Sequence, residues 1–99
     1  MKKFDPKDPV EIVPLSFDFT ELIGAGSPTS PTISITRHSG AQDSDPGAML
    51  AGAVQLVGMD VRQKVQAGVA GCTYYLKATV DTADGYRFAL AGLLEVQPA

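Results

Sequence analysis

The sequence predicts an all-β sandwich of about six or seven short antiparallel strands. Three observations predict it. Apolar and polar residues alternate with period two in several runs of strand length. Glycine- and proline-rich stretches separate those runs at fairly regular intervals. Asp84-Gly85 sits at the tip between two long alternating runs, a strong hairpin signal.

Residues 1–10 contain Pro6 and Pro9, which cannot donate to a ladder, and are expected to form an extended N-terminal arm. Residues 11–99 are expected to form a single sandwich domain. In the first predicted strand Val13, Leu15, Phe17 and Phe19 alternate with Pro14, Ser16 and Asp18, and Pro14 points to a sheet edge. Leu22-Ile23 extends the apolar content before a break. Gly24 to Pro31 reads as a loop, and Thr32 to His38 as a half-buried strand in which Ile33 and Ile35 face inward. Ser39 to Gly47 is a polar loop. Residues 48–58 have mixed periodicity, and Gly52 and Gly58 weigh against a helix, so a turn followed by a strand is expected. Val61, Gln63 and Val65 form one face of the next strand. Ala67 to Gly71 is a glycine-bounded corner.

The C-terminal hairpin is the clearest element. Cys72, Tyr74, Leu76, Ala78 and Val80 form one face of its first strand. Tyr86, Phe88, Leu90, Gly92, Leu94 and Val96 form the matching face of its second. The opposite face carries Tyr75, Ala89, Ala91 and Leu93. That outward patch is apolar enough to suggest a partner interface.

Composition excludes several function classes. The chain has 99 residues, a formal net charge of −3 and eight Lys and Arg residues, with Lys2-Lys3 as the one adjacent pair. Phosphate neutralisation needs clustered basic residues, so no nucleic-acid partner is expected. Lys2-Lys3 is followed by Phe4-Asp5-Pro6 rather than an apolar run, so no signal peptide is expected, and no stretch predicts a membrane span. The single cysteine allows no internal disulfide.

No catalytic, cofactor or metal site is expected. His38 and Cys72 are the lone histidine and thiol, too few for zinc. Alternation puts Cys72 on the apolar face, which argues against a nucleophilic pair with His38. Ser27 to Thr36 holds no nucleophile elbow, and the glycines match no nucleotide-binding pattern. Asp43-Ser44-Asp45 lacks the full calcium-loop pattern and reads as a solvated loop. Asp81 and Asp84 flank a turn and read as its caps.

Several segments carry a family likeness. The run from Val61 to Leu76, Val80 to Gly85, the opening Phe4-Asp5-Pro6-Lys7-Asp8-Pro9, Phe17-Asp18-Phe19, Ile33 to Thr36, and Met49-Leu50 after an acidic loop together resemble small structural proteins of tailed bacteriophages and prophages. The resemblance spans most of the chain. It implies an immunoglobulin-like β-sandwich in the virion, near the neck or tail, as an adaptor for fibres or a similar accessory. The implied partners are other virion proteins, portal or neck, tail or fibre subunits, in a symmetric multi-copy assembly. Synthesis would be in the host cytoplasm. Gly71 to Tyr74 also looks like the corner before a penultimate sandwich strand, where a tyrosine hydroxyl bonds back to the chain.

On this reading the N-terminal arm lies along a neighbouring subunit with Phe4 as anchor, so its deletion would weaken assembly more than folding. The expected interface residues are Phe4, Tyr75, Ala91 and Leu93. Alternatives are a soluble carbohydrate- or surface-binding module of the same fold, a capsid decoration protein and, last, an enzyme built on Cys72 and His38.

Overall fold

The computed structural model describes residues 2–24 and 26–98. Its strands are β1 (Lys2–Lys3), β2 (Val13–Asp18), β3 (Pro28–Gly40), β4 (Leu50–Val57), β5 (Asp60–Val65), β6 (Cys72–Thr82) and β7 (Arg87–Glu95). One sheet has the order β1-β7-β6-β3 and the other β2-β5-β4. The chain is an immunoglobulin-like β-sandwich: β3, β6 and β7 take the C, F and G positions, and β2, β4 and β5 the B, D and E positions.

The hairpin forms as its pattern requires. β6 and β7 pair without a register break from Thr73↔Glu95 to Asp81↔Arg87. Gly85 has φ +90° at the tip, a backbone conformation that costs glycine little. Alternation sends Cys72, Tyr74, Leu76, Ala78 and Val80 inward, where they are buried with Leu94 and Val96. From the opposite sheet Leu15, Phe17, Val61 and Val65 complete the core. β2 is an edge strand, as Pro14 predicted.

Three segments differ from expectation. The expected loop at residues 24–31, of which Ala25 lies outside the described residues, already joins β3 at Pro28. The length of β6 explains this: Pro28 and Thr29 pair with Thr82 and Asp81, and an edge strand tolerates proline. The segment after Asp18 folds as a single helical turn, α1 (Thr20–Ile23). Asp18 Oδ1 starts it by accepting from the Thr20 N–H at 2.9 Å. The ambiguous stretch opens with a 3₁₀ turn at Pro46–Met49, which buries Met49, before β4 begins.

The N-terminal arm is extended, but it lies along its own chain. β1 pairs parallel with β7, and Lys7 bridges to Val96 in the same sense. This corrects the expectation of an outward anchor, because Phe4 is buried in the core. Its ring meets Phe17 edge-on at 5.3 Å between centroids. A Cβ at Gly92 would come within 2.6 Å of that ring, so glycine is what leaves room for it. Phe4 is thus a folding residue: Phe4→Ala should lower unfolding stability in urea by about 3 kcal/mol. A loss under about 1 kcal/mol would mean that the arm is held by its backbone alone.

Candidate functional site

Two joints position the surfaces of this domain. The first is built around Tyr74, fully buried near the start of β6. Its hydroxyl accepts from the Val69 N–H at 2.9 Å and donates to Asp43 Oδ2 at 2.6 Å. The bond to Val69 is the tyrosine corner that the sequence around Gly71 suggested. The bond to Asp43 ties in the loop after β3, a link the sequence did not reveal. Asp43 Oδ1 also accepts from the Asp45 N–H at 2.9 Å. These two donors, Tyr74 first, hold the Asp43 carboxyl below its ordinary range. Burial, and then the bond to Asp43, push the Tyr74 phenol above its own.

The second joint is Lys7. The residue is almost wholly buried, and its ammonium donates to the carbonyls of Ala67 at 2.6 Å and Asp8 at 2.8 Å. Burial lowers its pKa, while Glu11 and Asp8 pull the other way. Lys7 therefore fastens the N-terminal strand to the corner that Tyr74 closes from the other side.

The residues considered for chemistry are not brought together. Cys72 is buried in the core, whereas His38 is exposed on β3 beside Ser39. Among the described residues no three His, Cys, Asp or Glu side chains are grouped to hold a metal ion. Asp84 bonds the Thr82 hydroxyl at the hairpin tip, and Asp81 pairs with Arg87 at 2.6 Å. No helix among the described residues is long and apolar enough to cross a membrane.

The expected interface residues divide. Tyr75 and Leu93 stand directly opposite one another on the outer face of the four-stranded sheet, and Ala91 lies beside them opposite Lys77. All three are half-buried, while Ala89 is exposed and Phe4 is inside. Sequence reasoning missed the flank beneath β1. There an open cleft of about 460 Å³ is lined by Lys2, Phe17, Asp18, Ala89, Leu90 and Ala91. It also missed Tyr86, which is 63% exposed and adjoins Phe88 at 6.3 Å between ring centroids. Its inward phase in the alternation gave no sign that Tyr86, next to the hairpin tip, is exposed.

No protein-family model and no curated protein sequence matches the chain.

The Tyr74 joint gives the fold a defined acid response. The folded Asp43 carboxyl binds its proton less tightly than the unfolded one does. Its stabilising contribution is complete above the unfolded value of about 3.9 and disappears as pH falls through the lower folded value. Asp18, Asp81 and Glu95 are shifted in the same direction and act with the same sign. In urea melts from about pH 6 to pH 2.5, Asp43→Asn should start less stable and fall less steeply than the wild type. Equal slopes would remove Asp43 from the account. Tyr74→Phe leaves the Val69 N–H and Asp43 without their common partner, and should cost roughly 1–3 kcal/mol in the same melts.

Proposed function

We propose that this chain is a non-enzymatic structural subunit of a tailed-bacteriophage or prophage particle, an adaptor or accessory at the neck or tail that holds fibres or neighbouring subunits. One observation carries the reading. Two of the segments that resemble phage structural proteins, Phe4 to Pro9 and Val61 to Leu76, contain most of the residues that make the two joints of the fold and hold the arm in place, Asp43 excepted. Phe4 and Lys7 come from the first, and Ala67, Val69 and Tyr74 from the second. The likeness therefore falls on residues that hold the domain rigid, as a part acting by shape requires.

A soluble carbohydrate- or surface-binding module is the second reading. The exposed Tyr86 beside Phe88 favours it, since an aromatic ledge is what a sugar ring stacks on. Binding on a glycan array, abolished by Tyr86→Ala, would put this reading first.

The deciding experiment for the virion reading is mass spectrometry of gradient-purified particles from a lysate carrying the gene. Peptide counting should find the chain at a small multiple of six or twelve copies per particle. A count in the hundreds would make it a capsid decoration protein, and absence from intact particles would overturn the virion reading.

A further inference from the structure

We infer that the edge of β7 from Arg87 to Ala91, which no described residue covers, is a self-association site at which a second copy of this chain pairs antiparallel about a two-fold axis near Ala89. The inference does not rest on the virion reading.

The argument starts from how the sheet edges are managed. An unpaired strand edge is a template for another chain, and proteins blunt it with proline, bulges or a covering segment. β2 carries Pro14. β3 carries Pro28 and Pro31 and shifts register at two places. β4 breaks its ladder to β5 between Ala51 and Gln55. β7 is covered by β1, but among the described residues that pairing begins only at Gly92. From Arg87 to Ala91 β7 has no proline, no bulge and a regular ladder to β6 on its other side.

The backbone groups on this edge point the right way. The Leu93 and Glu95 carbonyls accept from Phe4 and Lys7 of the N-terminal strand. With the ladder unbroken, the same alternation aims the backbone groups of Ala89 and Arg87 outward along that edge. β1 shows that the flank accepts an added strand.

The surroundings favour a second copy as the occupant. The cleft beside the edge has Phe17 and Leu90 among its apolar lining, with Lys2 and Asp18 in the same wall. Lys2 lies level with Gly92, and Asp18, the last residue of β2, lines the same cleft as Ala89, Leu90 and Ala91. Lys2 reaches the Ser16 carbonyl at 3.2 Å and acts on Asp18 within one copy, so the two charges offset each other in the cleft wall and the same wall of a second copy can face it without net repulsion. An antiparallel two-fold carries Tyr86 of each copy toward the other's Lys2, covering the most exposed aromatic ring among the described residues. The small Ala89 and Ala91 side chains let the two edges approach.

Sedimentation equilibrium at protein concentrations up to about 1 mM tests this. The wild type should form dimers, and Ala89→Pro should weaken the association by about tenfold or more. Proline at this position removes an outward N–H and leaves the β6 ladder intact, so its melting temperature should match the wild type. Should that variant misfold, hydrogen exchange of the wild type at low and high concentration decides. Added protection confined to Arg87 to Ala91 supports the edge, and protection elsewhere overturns it. A wild type that stays monomeric, or an Ala89→Pro variant that folds and dimerises equally well, also overturns it.

Discussion

The Tyr74 hydroxyl is the point on which the rest of the structure depends. It lies inside the core and has two partners from distant parts of the chain, the Val69 N–H and the Asp43 carboxylate. A buried polar group without partners is costly, so the hydroxyl stabilises the fold only where both loops meet it. Satisfying one phenol fixes the corner before β6 and the loop after β3 together. Around that corner Gly71 N–H donates to Val96, Ala41 N–H donates to the Gly71 carbonyl, and Met49 and Val96 pack against Gly68. One end of the sandwich is thereby closed by polar contacts rather than by a strand.

Lys7 extends the same logic to the N-terminus. Its ammonium bonds the carbonyl of Ala67, a non-glycine residue at φ +53° within the corner. The chain thus puts a positive charge where a turn turns its carbonyl inward. With Phe4 set over Gly92, this makes the first strand a cross-brace between the two sheets. The surface ion pairs Lys3–Glu95, Arg62–Asp60 and Arg87–Asp81 lie in water and add little by comparison.

Gln63 solves a third polar problem. Three residues of β4 bulge opposite one residue of β5, leaving carbonyls turned into the sheet. The buried Gln63 amide donates to the carbonyls of Ala51 and Gly52 at 3.2 Å each. The bulge spoils β4 as a template, while the edge of β7 below β1 keeps a regular ladder. Among the described residues the β7 edge is therefore a smooth one, flanked by a cleft and an exposed tyrosine, while the outer face of its sheet bears Tyr75 and Leu93.

The sequence by itself determined the fold class, the hairpin, the edge position of β2, the buried Cys72 and the tyrosine corner. The first four follow from local alternation, from proline's missing donor or from glycine's access to positive φ, and the corner from the likeness of Gly71 to Tyr74 to the turn before a penultimate sandwich strand. Such signals lie within a few residues of the feature they specify. Only the tertiary structure decided where Phe4 and Lys7 go, what Asp43 does, and that Pro28 belongs to a strand. Those outcomes rest on contacts between residues far apart in the chain: Lys7 with Ala67, Asp43 with Tyr74, Pro28 with Thr82. An arm of alternating prolines and charges reads the same whether it crosses to a neighbour or folds back. What chose between them here was the absence of a Cβ at Gly92, which lets the Phe4 ring sit against it, and a carbonyl at Ala67 that the Lys7 ammonium reaches.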